Sequence, residues 1–99
     1  MGWSAARKLR RAVDGLRQVI AIELLTAARA LDLRAPLTSS AGIARLRELL
    51  RAAVPGPGPD RFLAPEIAAV VELVRSEALA PVLMPLAASI PAPIDQEDA

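Results

Sequence analysis

The stretch LRRAVDGLRQVIAIELLTAARALDL, residues 9–33, sets the architecture that this chain can adopt. Its apolar side chains recur at intervals of three and four residues, which is the spacing of one face of an α-helix. The positions on this face are Leu9, Val13, Leu16, Ile20, Leu24, Ala27 and Leu31. The pattern predicts one long helix over residues 3–33, which must end close to Pro36 because a residue before proline avoids the helical conformation.

A second, shorter helix is predicted over residues 41–54. The hydroxyls of Thr38, Ser39 and Ser40 precede it, and each can accept a hydrogen bond from an unpaired N–H group of the first turn. The predicted apolar face of this helix is Ile43, Leu46, Leu50 and Ala53. The run Pro-Gly-Pro-Gly-Pro at residues 55–59 breaks the chain after it and predicts a stiff, exposed linker.

A third helix is predicted over residues 65–80, with Pro65 in its first turn and Glu66 at the positive end of its dipole. Its predicted apolar face is Ile67, Val70, Val71 and Val74. Four prolines follow this helix and exclude any further long helix. We therefore expect a helical part over residues 1–80 and a Pro-rich tail over residues 81–99 with an acidic end.

Composition favours the all-α class. Apolar types make up 54% of the 99 residues but aromatic types only 2%, so Ala, Leu, Val and Ile must form the core. Ala and Leu are strong helix formers, whereas a sheet would require more aromatic and β-branched residues. The sequence predicts an all-α fold with one long helix and two shorter helices, a piece of a helical bundle that is followed by a Pro-rich C-terminal tail.

Missing residue types exclude most enzyme chemistry within these residues. The chain has no Cys, His or Tyr, so it offers no thiolate nucleophile, imidazole base, phenol, or Cys or His metal ligand. We expect no catalytic, cofactor-binding or metal-ligating residue. The most apolar run, residues 19–31, is too short to span a bilayer, and no apolar leader follows Met1. The expected location is the cytoplasm, without a membrane partner.

The first helix is longer than the rest of the chain can cover. About 31 helical residues extend about 46 Å, whereas a compact domain of this size has a radius of gyration of about 13 Å. We therefore expect its apolar face to bind a helical protein partner or to form a homo-oligomer. The residues expected at that interface are Leu9, Val13, Leu16, Ile20, Leu24 and Leu31. The alternative is a bend near Gly15.

Three polar features are candidate sites. A basic cluster crowds the first turns of the long helix, where it opposes the helix dipole and could contact phosphate; it consists of Arg7, Lys8, Arg10 and Arg11. No aromatic interleaving or helix-turn-helix pattern accompanies it, which argues against nucleic acid.

Two further candidates lie outside this cluster. Glu23 is either a buried acid or an outward-facing side chain. Residues 39–42, Ser-Ser-Ala-Gly, could form a nucleophile or phosphate loop, although a helix cap accounts for the same residues.

Two separated segments resemble the carboxy-terminal part of the histidine ammonia-lyase family. The first is VIAIELL at residues 19–25 with ALDLR at 30–34 and PLTS at 36–39, and the second is DRFLAPEI at 60–67. Order and spacing agree from Met1 to about Leu79. The resemblance implies a mostly helical, tetrameric enzyme with long helices in a central bundle, which converts histidine to urocanate and ammonia. Relatives in the wider aromatic amino acid ammonia-lyase family act on phenylalanine and tyrosine.

The same resemblance implies that the chemistry of the family lies outside these residues. The electrophile of the family is a methylidene-imidazolone ring made from a contiguous Ala-Ser-Gly, whereas residues 40–42 read Ser-Ala-Gly. The catalytic tyrosines of the family have no counterpart, and its Gln-Glu-Asp-His-Val-Ser-Met stretch would end at Met1. Residues 96–98, Gln-Glu-Asp, repeat part of that stretch, which we interpret as coincidence because no His-Val-Ser follows.

Three functional hypotheses follow. The first is a carboxy-terminal segment of a histidine ammonia-lyase-like protein, which packs helices and supports subunit assembly around a site supplied elsewhere. The second is a free-standing helical interaction module that docks onto a full-length lyase through the long helix. The third, which the sequence favours least, is a nucleic-acid-binding helix that uses the basic cluster.

Overall fold

Four α-helices form the part of the chain that the structure, a computed structural model, describes, residues 2–93. In chain order they are α1 (Gly2–Leu33), α2 (Ala41–Ala53), α3 (Ala64–Arg75) and α4 (Ala80–Ala88). No strand occurs among these residues, so the all-α prediction is confirmed. No helix within 2–93 is long and apolar enough to cross a membrane. The predicted acidic end, residues 95–99, lies outside the described residues.

The predicted long helix is confirmed. α1 contains 32 residues and continues through Gly15 without an interruption, so the predicted alternative of a bend at that glycine is not needed. A helix of this length is about 48 Å long, close to the longest dimension of the chain, 49 Å. The radius of gyration, 16.9 Å, exceeds the roughly 13 Å of a compact domain of this size because α1 extends beyond the other helices.

The starts of α2 and α3 follow the local sequence signals. Ser40 caps α2, and its hydroxyl oxygen accepts a hydrogen bond from the backbone N–H of Ile43 at 3.4 Å. Pro65 lies in the first turn of α3, where its missing N–H leaves no helical hydrogen bond unmade. Both predictions are therefore confirmed. The same cap gives Ser40, the first residue of Ser-Ala-Gly at residues 40–42, a structural role without any nucleophile loop.

The prediction of a single third helix over residues 65–80 is wrong. α3 ends at Arg75, and Glu77 adopts a left-handed backbone conformation with φ of 61°, which stops the helix. The chain then starts α4, a nine-residue helix that was not predicted. This break places Pro81 in the first turn of a new helix, whereas a continuous helix would carry it in the interior. Pro85 lies within α4 and keeps it short.

The core lies where α1 and α3 pack together, with Leu50 of α2 and Val54 at the end of α2 completing it. Its buried residues are Ala21, Ala28, Leu50, Val54 and Val70. The predicted apolar faces are confirmed at Leu50 of α2 and Val70 of α3, but Ala53 is exposed. On α1, the buried residues are Ala21 and Ala28 and none of the predicted stripe. The small alanines let α3 approach the α1 backbone closely, whereas Leu9, Val13 and Leu16 of the stripe stay exposed and Leu24 packs at the edge of the core.

Candidate functional site

The first candidate site is an apolar face of α1 that is largely exposed among the described residues. We call this the free face and define it as Leu9, Val13, Leu16, Val19 and Ile20, of which only Ile20 is half-buried. Leu9 is 66% exposed, Leu16 58% and Val19 52%. At about 100° per residue, the free face lies about 100° around the helix from the buried side of Ala21 and Ala28. α3 therefore packs on one side of α1 and leaves the other open.

The structure divides the predicted interface into two groups. Leu9, Val13 and Leu16 are exposed, as expected for residues that contact a partner. Leu24, in contrast, packs against the core of this chain, and Ile20 and Leu31 are half-buried. The uncovered part of the predicted interface is therefore the amino-terminal half of α1, where the helix extends beyond α3.

The polar candidates on α1 are exposed. All four residues of the basic cluster lie at the surface of the uncovered half, and Glu23 is also exposed. Of the two alternatives for Glu23, the outward-facing side chain is confirmed and the buried acid is wrong, because the buried residues of α1, Ala21 and Ala28, lie on another side of the helix. Within residues 2–93, neither Lys8 nor Glu23 forms an ion pair.

A second feature, which sequence reasoning missed, is a pair of arginines that hold the Pro-Gly linker. Arg51 donates to one carboxylate oxygen of Asp32 through Nε at 3.0 Å and Nη2 at 2.5 Å, and through Nη1 to the carbonyl of Pro55 at 2.8 Å. These contacts connect the end of α1, the last turn of α2 and the first residue of the linker. The linker is therefore anchored at its start.

Arg61 holds the same linker from the other side. Its Nε donates to Glu66, and its Nη2 donates to the carbonyls of Pro55 at 3.2 Å and Gly56 at 3.0 Å. The Glu66 side chain is only 13% exposed. An arginine four residues before the linker and another two residues after it were the available signals, but their carboxylate partners could not be read from spacing. Side chains therefore fix the carbonyls of Pro55 and Gly56, in addition to the backbone restriction that proline imposes on residues 55–59.

Two cavities accompany these features. One, of about 320 Å³, lies between α1, the linker and the start of α3. Its polar lining consists of Thr26, Arg29 and Asp60 together with the paired Arg51, Arg61 and Glu66. The other is an open groove of about 640 Å³ between α2 and α4. In this groove Gly42 lets α4 come close, since a Cβ atom there would lie 2.6 Å from Leu86 Cδ2. Both cavities follow from how the helices pack.

Two further observations concern the charged side chains of the described residues. Within residues 2–93, no group of three or more possible metal-ligating side chains occurs. Arg75 donates two hydrogen bonds to Glu72, at 3.0 and 2.6 Å, and holds the pKa of that carboxyl below its ordinary value. The same contact raises the pKa of Arg75. Both residues are exposed on α3 and belong to no cavity, so this pair is a surface contact.

Comparisons with known proteins converge on one family. The family of aromatic amino acid lyases matches residues 1–52. The histidine ammonia-lyase of Streptomyces avermitilis is 54% identical over 80 residues, which cover 80% of this chain and 16% of that protein. The histidine ammonia-lyase of Streptomyces coelicolor is 57% identical over 77 residues, 77% of this chain and 15% of that protein.

A third relative extends the match. The histidine ammonia-lyase of Streptomyces griseus is 52% identical over 94 residues, which cover 88% of this chain and 18% of that protein. The chain thus spans less than a fifth of the length of the curated relatives that it matches. No solved structure matches the chain. The resemblance noted in the sequence is confirmed by these identities.

Proposed function

Because this chain belongs to the aromatic amino acid lyase family, we propose that it serves as the carboxy-terminal helical segment of a histidine ammonia-lyase. The parent reaction is the conversion of L-histidine to urocanate and ammonia. Within that enzyme, the segment packs helices and supports assembly, and it supplies no catalytic residue. The proposal places the chain in the cytoplasm, in an oligomeric enzyme of histidine catabolism.

Two observations together carry this proposal: high identity to histidine ammonia-lyases, and an apolar face of α1 that is largely exposed. Identity to histidine ammonia-lyases exceeds 50% in three relatives, and α1 exposes Leu9 and Leu16 by 66% and 58%. Large exposed apolar faces on a helix are typical of surfaces that other helices cover. A bundle helix separated from its neighbours has these properties.

The electrophile of the family does not fit the residues of this chain. No contiguous Ala-Ser-Gly occurs in the 99 residues. In Ser-Ala-Gly at residues 40–42, the Ser40 hydroxyl caps α2, so it is engaged in a structural hydrogen bond. On this proposal, electrophile and base both come from other parts of the enzyme, and no reaction step is assigned to residues of this segment.

A chimera tests the proposal. The matching segment of the Streptomyces griseus histidine ammonia-lyase is exchanged for this chain, and urocanate formation is followed by its ultraviolet absorbance. We expect the chimera to form urocanate, because α1 and α3 should pack as the replaced segment does. The same enzyme without the segment should be inactive, and the 99-residue chain alone should form no urocanate.

Two results would contradict the proposal. A chimera no more active than the shortened enzyme would show that this chain does not replace the segment. Urocanate formation by the isolated chain would show that it carries its own catalytic groups. A chimera containing the same residues in scrambled order is the matched control, since it separates correct packing from a mere requirement for chain length.

The free face of α1 also favours a second candidate function, a free-standing module that docks onto a full-length lyase. On this alternative, the purified chain binds the intact Streptomyces griseus enzyme, and the chimera is no more active than the enzyme without the segment. Isothermal titration of the chain into the intact enzyme distinguishes the two. The third candidate, nucleic-acid binding by the basic cluster, requires binding to duplex DNA that weakens steeply with salt.

A further inference from the structure

The free face of α1 has the spacing of a coiled-coil seam. Leu9, Val13, Leu16 and Ile20 are separated by four, three and four residues, the alternation of a and d positions in a heptad. Glu23 and Ala27 continue the same alternation. Because α3 packs on another side of α1, the seam is exposed at Leu9, Val13, Leu16 and Glu23 and half-buried only at Ile20. About four turns are therefore accessible to a partner helix.

The two flanks of the seam differ in charge. Arg10 and Arg17 lie along one flank, whereas Ala12 and Val19 lie along the other. Asp14 lies 3.4 Å from Arg17 on the side that faces away from the seam. Residues 2–20 carry five basic side chains and one acidic side chain. Flanking charges of this kind select partners, and carboxylates on the partner helix complement arginines on this one.

Glu23 adds a second requirement. It occupies a seam position, is exposed in this chain, and forms no ion pair within residues 2–93. A carboxylate that a partner helix covers must meet a cation or a hydrogen-bond donor, because burial without one is strongly unfavourable. A single polar residue in an apolar seam also fixes the register in which two helices pair.

A second copy of this chain does not meet these requirements. In an antiparallel pair, the flank of Arg10 and Arg17 would face the same flank of the copy, and like charges would meet. In a parallel pair, the two Glu23 carboxylates would face each other within the seam. The seam therefore calls for a different helix.

We propose that the free face of α1 binds one partner helix whose apolar heptad seam is flanked by carboxylates facing Arg10 and Arg17, with a lysine or arginine opposite Glu23. This inference deepens the proposed function, since it specifies the chemistry of the helix that covers α1 in the assembly. It also identifies Glu23 as the residue that sets the register of that pairing.

Designed peptides of about four heptads provide the probe. The first carries Leu at seam positions, Glu on its flanks and one Lys in the seam opposite Glu23. The second is identical except for Lys on its flanks, and the third has Leu in place of the single seam Lys. Isothermal titration calorimetry with the full 99-residue chain measures each dissociation constant. We expect the first peptide to bind at least about tenfold more tightly than the second, since facing like charges oppose association.

Charge reversal on the chain tests the assignment of residues. The double variant Arg10→Glu/Arg17→Glu should reverse the preference and bind the Lys-flanked peptide more tightly. Arg45→Glu, on the exposed side of α2, is the matched control and should leave the preference unchanged. Glu23→Leu should abolish the preference for the seam Lys over Leu. Because reversal of a preference requires a folded chain, loss of folding cannot produce the expected result.

Four results would overturn the inference. They are equal affinity for the first two peptides, no binding of any peptide, an unchanged preference in the double variant, and self-association of the chain that competes with peptide binding. The test is independent of the chimera. An active chimera without a peptide preference contradicts this inference alone, whereas a clear peptide preference with an inactive chimera contradicts only the proposed function.

Discussion

At the scale of single residues, Arg51 shows how one side chain can connect three parts of the chain. Its guanidinium contacts Asp32 at the end of α1 and the Pro55 carbonyl at the start of the linker. Both side chains of the ion pair are largely buried, at 21% and 19% exposure, so solvent weakens their attraction less than that of a surface pair. Only a planar guanidinium offers donors in these two directions at once.

We expect Arg51→Lys to lower the free energy of unfolding by about 1–2 kcal/mol, because lysine keeps the charge but cannot make all of the hydrogen bonds. Urea unfolding followed by circular dichroism measures the change. Arg45→Lys is the control, since Arg45 forms an exposed ion pair with Glu48 and should change stability by less than about 0.5 kcal/mol. Equal effects of the two variants would contradict the bridging role.

The exposed pair of Glu72 and Arg75 allows a prediction about pH. Since Arg75 lowers the pKa of Glu72, the pair stabilises the fold above the ordinary pKa of a glutamate, and the contribution disappears as pH falls through the lowered pKa. We expect Arg75→Gln to raise the pKa of Glu72 towards its ordinary value. An NMR titration measures this pKa, and Arg45→Gln, on a different helix, should leave it unchanged.

At the scale of elements, two helical glycines have different surroundings. Gly15 lies in α1 with open space where a Cβ atom would be, whereas a Cβ at Gly42 would meet the side chain of Leu86 on α4 at 2.6 Å. The first glycine is therefore only a weak point of helix propensity. The second allows α4 to lie against α2. Helix propensity depends only on residue type, so it does not distinguish the two glycines. The contact with Leu86 does distinguish them, because it arises from the packing of α4 on α2.

Alanine substitution at the two positions should separate these roles. Gly15→Ala should raise the free energy of unfolding by about 0.5–1 kcal/mol through helix propensity. Gly42→Ala gains the same propensity but must displace Leu86, so it should stabilise less or destabilise. Thermal unfolding of the two variants side by side provides the comparison. A larger gain at Gly42 than at Gly15 would contradict close packing of α4 on α2.

At the scale of the whole molecule, the chain is an elongated set of helices in which one half of α1 lies outside the core. Its dimensions are 49 × 41 × 23 Å. Side chains of the free face therefore contribute little to folding of the chain itself, while they contribute to any assembly that covers them. Stability and assembly consequently depend on different residues.

We expect Leu9→Gln/Leu16→Gln to change the free energy of unfolding of the isolated chain by less than about 0.5 kcal/mol, because both side chains are exposed. The same double variant should abolish the activity of the chimera. Leu50→Ala is the opposite case, since Leu50 is 2% exposed, and it should cost about 2–4 kcal/mol of stability. Urea unfolding and urocanate formation measure the two effects. Full activity with both leucines replaced would show that the free face stays uncovered.

Residue order alone predicts α1, α2 and the start of α3, because their signals are local. The interval pattern of α1, the Ser40 cap and the position of Pro65 each involve residues within about one turn of one another, so they can be read without knowledge of the fold. The break between α3 and α4 is a partial exception. Pro81 predicts that the third helix ends before it, but the helix ends earlier, where Glu77 adopts a left-handed conformation.

Tertiary packing decides everything that joins residues far apart in the chain. α1 is apolar on more than one side, and only the docking of α3 determines that Ala21 and Ala28 are buried while Leu9 and Leu16 stay open. The contact of Arg51 with Asp32 spans 19 residues, and no spacing rule specifies it. Periodicity shows which sides of a helix are apolar. Which of those sides is buried depends on where a neighbouring helix can pack most closely.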